Sequence, residues 1–349
     1  FVGAATQVDA WILTELRPSP KNVGVRLDPL PVATTTLTGT TGNDILNAPG
    51  SVTTLVAGYQ GNDTITLVLD QDAARGGKGA DSITLQASTT RNTVNAGAGN
   101  DSLFLTTAVT KYDGNTLFGD GDDYLVTTTK IQTIGGIIGG NAGSDTISLL
   151  GGQLNTQVGG GAGGDKLTLK GGATNLTLQG GKGADTIQLS GASTNYAVIA
   201  GDRANNAAID GDGADSIYIG GTIQNSTIYG GGGFEYDTSL DGADSIEIAG
   251  SFTASLLHGN GGNDSFYLAD PTKLKSSTIY GGQGADLVDV AAGASTDTIS
   301  ASWIAGNRGD DKILLKNTGT LINSTVLGSD ITGTLAGNDS LSISAVTLQ

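Results

Sequence analysis

One short motif recurs along most of the chain and limits what it can become. It reads Gly-x-Asp, with an apolar residue two places after the Asp and usually another four places after. Its Asp falls at Asp44, Asp63, Asp81, Asp101, Asp123, Asp145, Asp165, Asp185, Asp215, Asp244, Asp264, Asp286, Asp311 and Asp339, 14 copies in all. Successive copies are spaced by 19, 18, 20, 22, 22, 20, 20, 30, 29, 20, 22, 25 and 28 along the chain. The position two after the Asp is apolar every time, from Leu46 and Ile65 to Ile313 and Leu341, and the position four after fails only at Thr127. Self-similarity at a nearly fixed period of this size is the mark of stacked structural repeats.

Period-two alternation directly after a glycine turn describes a half-buried β-strand. Between anchors runs a weaker pattern, as in Asn92-Thr93-Val94, Asn115-Thr116-Leu117, Asn225-Ser226-Thr227-Ile228 and Asn323-Ser324-Thr325-Val326, which again leads toward glycine. Each repeat therefore holds two strands and two turns. The expected fold is all-β: a parallel β-solenoid of the β-roll or β-helix kind, with about 14 coils of two short strands each. At about 4.8 Å per coil it would extend roughly 65 Å. No coil can bury its apolar face alone, so each depends on its neighbours.

Composition narrows the function. Glycine supplies 57 of 349 residues, yet no Gly-X-Y period runs through them, which excludes a collagen helix. The chain contains no apolar run long enough to span a bilayer, so no transmembrane segment is expected. Cysteine is absent, which removes disulfides, thiolate metal sites and cysteine nucleophiles. The formal net charge is −17. That argues against nucleic acid, whose phosphates need a basic surface, and favours a cation as partner. Of the 34 acids only Glu15, Glu235 and Glu247 are glutamate; the short aspartate suits turns and metal loops. Methionine is absent and the chain opens at Phe1, which reads as a processed product or a fragment.

The turns Gly76-Gly77-Lys78-Gly79-Ala80-Asp81, Gly160-Gly161-Ala162-Gly163-Gly164-Asp165, Gly180-Gly181-Lys182-Gly183-Ala184-Asp185 and Gly281-Gly282-Gln283-Gly284-Ala285-Asp286 resemble the calcium-binding nonapeptide of RTX proteins, the hemolysin-type repeat. The resemblance covers roughly positions 37 to 349. It implies Ca2+ held between stacked turns by the anchor Asp carboxylates and by glycine carbonyls, which makes all 14 anchors candidate ligands. Calcium takes six to eight oxygen ligands, and glycine lets carbonyls converge. Carboxylates stacked about 4.8 Å apart would repel unless a cation lay between them. Family β-rolls carry the nonapeptide in both halves of each coil, whereas here one half carries it, which implies one metal-bearing edge. The turns before Asp44 and Asp339 are degenerate. The alternative is that each Asp closes its turn by hydrogen bonds without metal.

Residues 1 to 36 lack the repeat, and residues 37 to 349 form the solenoid. The first segment is expected either to cap the first coil or to pack as an arm on a neighbour. Only Ser340 to Gln349 follow the last anchor, so the final coil is expected to expose its strand edge and core, which copies stacked head to tail would cover. Truncation is the competing explanation. The long intervals 185 to 215 and 215 to 244 are expected to carry protruding loops around Asp202-Arg203 and Phe234-Glu235-Tyr236-Asp237.

His258, the single histidine, is expected to pack at the turn edge, and Trp11 and Trp303 stand too isolated to form a stacking platform. Glu235, Asp237 and Asp241 could supply a carboxylate pair, but an aspartate-rich chain offers such pairs everywhere. The reading is of a non-enzymatic, secreted, extracellular calcium-binding structural protein, a self-assembling subunit of a surface layer, filament or matrix. RTX-type repeats also occur in bacterial surface-layer proteins, whose composition is similar. The alternative is an adhesin or polysaccharide-binding module using the 200–244 loops, and after it a polysaccharide lyase or epimerase.

Overall fold

The computed structural model describes residues 35–348 apart from 87–88, 107–110, 113, 128–129, 192, 203–212, 232–240, 270–272, 292–297, 317–319, 330–336 and 345–346. The repeats build a parallel β-solenoid, and among the described residues every strand pairing in it is parallel. A first face of 14 strands runs from Thr35–Thr38 to Thr325–Ser329, and a second face of 14 runs from Ile45–Asn47 to Ser340–Ser344. A third face of 12 strands runs from Thr89–Thr90 to Thr347–Leu348. The first strand of the solenoid begins at Thr35, slightly ahead of the boundary expected from the repeat.

The third face corrects the expectation of two strands per coil. Among the described residues twelve coils are three-sided, and only the two at the N-terminal end are two-sided. Coil length accounts for the difference. The two shortest spacings, Asp44 to Asp63 and Asp63 to Asp81, close in two strands, and the third face starts inside the longer interval between Asp81 and Asp101. Third-face strands hold only two or three residues, too few to show an alternation that the sequence could reveal.

Alternation on the second face sends the residues two and four after each anchor inward. Ile65, Ile83, Leu103, Leu125 and Ile147 stack in register in adjacent coils, each at most 1 % exposed. Val56, Val94, Ile138, Leu178 and Ile279 of the first face and Ile223, Phe252 and Leu274 of the third complete one continuous core. The exception Thr127 is buried too, its Oγ1 accepting the Leu150 N–H at 2.9 Å. At the C-terminal coil the same columns come to the surface: Leu341 is 47 % and Ile343 44 % exposed.

The weaker Asn motif marks the corner from the third face to the first. Asn155, Asn175, Asn225 and Asn323 hold φ of 50, 51, 49 and 45°, the left-handed region that asparagine tolerates better than other side chains. Tyr196, Ala254, Ser276 and Ala301 take the same conformation in other coils.

Candidate functional site: a buried file of aspartates

The corner between the first and second faces gathers the anchors. The glycine two places before the Asp turns the chain with positive φ, as at Gly284 (φ 129°), where a Cβ would also run into the Gly262 carbonyl of the preceding coil. No other residue fits both the dihedral and the gap. The chain then reverses inward, so that Asp63, Asp81, Asp101, Asp123, Asp145, Asp165, Asp185, Asp215, Asp244, Asp264, Asp286 and Asp311 are each only 1–3 % exposed.

All 14 anchors form a single file. From Asp63 onward the Oδ1 of each accepts the backbone N–H of the anchor one coil nearer the N-terminus, beginning with Asp44 N–H to Asp63 Oδ1 at 2.9 Å and ending with Asp311 N–H to Asp339 Oδ1 at 3.1 Å. The ladder crosses both long intervals without interruption, through Asp185 N–H to Asp215 at 2.7 Å and Asp215 N–H to Asp244 at 2.8 Å. The inserted segments 203–212 and 232–240, which hold Arg203, Glu235 and Asp237, lie outside the described residues.

The second carboxylate oxygen is treated differently. Oδ2 of Asp63, Asp81, Asp101, Asp123, Asp145, Asp165, Asp185, Asp215, Asp264, Asp286 and Asp311 is buried and has no hydrogen-bond partner. In most coils it points at a glycine of the preceding first-face strand, and the carbonyl oxygen one coil further on faces the same spot. A Cβ on Gly160 would strike both Asp165 Oδ2 and the Gly180 carbonyl; Gly58, Gly140, Gly180, Gly259, Gly281 and Gly306 repeat the arrangement.

The file is not uniform. Ala96 and Phe118 replace the glycine beside Asp101 and Asp123, and both are buried, so these coils put carbon where the others leave room. Asp44 Oδ2 is already satisfied by the N–H and Oγ1 of Thr40 at 2.6 and 2.9 Å, and Asp339 is exposed. Sequence reasoning brought the 14 anchors together but missed the inner glycine. Its signal was present as a Gly five places before the Asp in the regular coils, such as Gly160 before Asp165.

Burial dominates the electrostatics. It raises the carboxyl pKa to about 6 at Asp81, Asp165 and Asp311, about 7 at Asp145 and Asp286, about 8 at Asp185, about 9 at Asp215 and about 10 at Asp264. The N–H bond from the preceding anchor opposes that rise, and at several positions, Asp215 and Asp264 among them, neighbouring carboxylates add to it. An acid so placed must keep a proton or share its charge with a cation.

Of the remaining sequence candidates, Asp241 lies close enough to the file for its charge to add to the rise at Asp215 and Asp264. Asp241 Oδ1 and Oδ2 accept the N–H groups of Gly242 and Gly261 at 3.1 and 3.0 Å. His258 Nδ1 accepts the Asn260 N–H at 2.9 Å, and its ring meets Tyr280 edge-on at 5.6 Å. Burial lowers its pKa to about 4. Trp303 lies on the first face between Thr278 and Thr325, and Trp11 lies outside the described residues. Among the described residues no three His, Cys, Asp or Glu side chains gather around one point, and no helix is long and apolar enough to cross a membrane.

Fold and file together define a parallel β-solenoid with an internal aspartate ladder along one edge. No protein-family model matches the chain, and no curated protein is significantly similar to it.

Proposed function

We propose that this chain is an extracellular calcium-binding structural protein, a subunit that assembles with copies of itself into a layer, filament or matrix. The observation that carries the reading is the row of buried Oδ2 atoms without partners, nine of which share their space with a carbonyl oxygen of the next coil. Carboxylate and carbonyl oxygens suit a hard cation such as Ca2+, and a site with one carboxylate per coil would draw most of its ligands from the backbone. Asp63, Asp81, Asp145, Asp165, Asp185, Asp215, Asp264, Asp286 and Asp311 would hold it, each beside a glycine that leaves the space open. Asp101 and Asp123 fit it less well because Ala96 and Phe118 fill that space, and Asp44 because Thr40 already occupies its Oδ2.

Bound calcium would supply positive charge between coils and leave the carboxylates ionised. Millimolar calcium outside cells would favour the loaded, folded state by mass action. Self-association is proposed from the stacking itself, since the coils are joined to one another by parallel strand pairing on every face and each end of such a stack offers strand edges and apolar surface. Apolar surface and strand edges of this kind are covered readily by another solenoid end.

Isothermal titration with Ca2+ and with Mg2+, followed by electron microscopy with and without chelator, tests both parts. Several calcium ions bound per chain, and ordered filaments or sheets that disperse on chelation, are expected. Heat of binding indistinguishable from buffer would overturn the metal reading, and separate rods in both conditions would overturn self-assembly.

A further inference from the structure

We propose that the turn edge of the first three coils is a binding site for a carboxylated sugar. Gly39, Thr40 and Thr41 of the first coil, Tyr59 and Gln60 of the second and Lys78 of the third line a shallow, largely open pocket of about 490 Å³. That size lies within the range of small-ligand sites.

Tyr59 is the residue that needs explaining. It holds φ of 82°, at a position where later coils place Gly77, Gly97, Asn141, Gly161 and Gly181. A bulky side chain is disfavoured in that region, and strain of this kind gathers at functional sites. Packing does not explain its presence, because Tyr59 is 57 % exposed and its hydroxyl has no partner among the described residues. An exposed aromatic face beside hydroxyl and amide groups suits the C–H face of a pyranose ring, with Thr41 and Gln60 placed for its hydroxyls.

Charge selects the kind of sugar. Lys78 has no ion pair among the described residues. Of the acids of these coils, Asp63, Asp72 and Asp81 are buried, Asp70 pairs with Arg91, and Asp44, half-buried at the pocket edge, is held by the N–H and hydroxyl of Thr40. The outward turn residues beside it are Thr41, Asn43, Gln60, Asn62 and Ala80, whereas the turn around Asp123 shows Asp120 and Asp122. Lys78 thus brings an ammonium with no ion pair among the described residues to a pocket where the Asp44 carboxylate is already held by Thr40, and an ammonium so placed pairs with a carboxylate. Screening over about 8 Å at physiological ionic strength keeps the distant acids from cancelling it.

The test is titration of the full chain, in calcium, with trigalacturonate and with the neutral maltotriose. Binding of trigalacturonate with a dissociation constant below about 1 mM is expected. Tyr59→Gly should weaken it at least tenfold without lowering the melting temperature, since glycine suits the backbone there. Lys78→Gln, at an exposed turn position, should weaken trigalacturonate at least tenfold and leave maltotriose unchanged. No binding to the unaltered chain, or undiminished binding to Tyr59→Gly, would overturn the site. Equal affinity for both trisaccharides would overturn the carboxylate as its ligand.

Discussion

Two corners of each coil solve the same problem with different chemistry. Where the third face turns into the first, the buried Ser226, Ser255, Ser277 and Ser302 and the half-buried Ser324 form a ladder in the later coils, the N–H of each donating to the Oγ of the next at 3.1–3.3 Å. Each hydroxyl then donates to the carbonyl two places before it, as Ser255 does to Thr253 at 2.8 Å. At the aspartate corner the first half of the device is identical, N–H to Oδ1 in the next coil. The second half is missing, because an ionised carboxylate has no proton to donate. The serine corner satisfies its hydrogen bonds within the chain, whereas the aspartate corner leaves a buried carboxylate oxygen without a partner in most coils, an acceptor open to a proton, a cation or a further donor.

On the proposed calcium reading, removing the metal should produce the largest effect, since it would act at once on the nine anchors whose Oδ2 lies beside a glycine. Chelation is expected to lower the melting temperature by more than about 10 °C, read by circular dichroism, and an unchanged transition would dissolve the contrast between the corners. The pH response of the metal-free chain should follow. Carboxyls raised from 3.8 to between about 6 and 10 bind protons more tightly when folded than when unfolded. Their contribution to stability is complete below about pH 4 and is lost as pH rises through those values. Metal-free protein should therefore melt at a higher temperature at pH 5 than at pH 8, and saturating calcium should remove that difference.

Single substitutions sharpen the comparison further. Ser255→Ala leaves the Ser226 N–H buried without its acceptor and should cost about 1–3 kcal/mol, by the same amount with and without calcium. Asp165→Asn keeps an acceptor for Asp145 N–H and adds a donor toward the Gly180 carbonyl. In the metal-free chain it should stabilise by about 1 kcal/mol, and in calcium it should reduce the number of ions bound. A loss of stability in both conditions would mean that the charge itself supports the corner. The smallest effect belongs to Ala254, held at φ 49° where other coils place asparagine. Ala254→Asn should stabilise by about 0.5 kcal/mol in a urea melt, irrespective of metal.

Much of this was legible in the chain. The 14 anchors, their inward partners such as Ile83 and Leu85, and the parallel stacking follow from spacing and alternation alone. The third face was not legible: strands such as Gln153–Leu154 and Phe252–Thr253 are too short to carry a period. The serine ladder was hidden for another reason. Its position is held by Asp72, Asn92, Gly114, Gly136, Thr156, Leu176 and Ala197 before serine takes over at Ser226, so no residue type repeats through the whole chain.

The sequence by itself determined that coils must stack, because a Gly turn followed by two alternate apolar residues can bury nothing except against its own copies. It also determined which residue would stand at the turn of every coil. Only the tertiary structure decided where that residue points and what it lacks. Turning Asp inward depends on positive φ at the glycines and on the N–H of the preceding coil, a partner a whole coil away in sequence that local patterning does not reveal. The space beside Oδ2 exists because Gly58 and Gly160 lack a side chain, and it narrows where Ala96 and Phe118 have one. Which oxygen is satisfied and which is stranded is a property of two coils packed together.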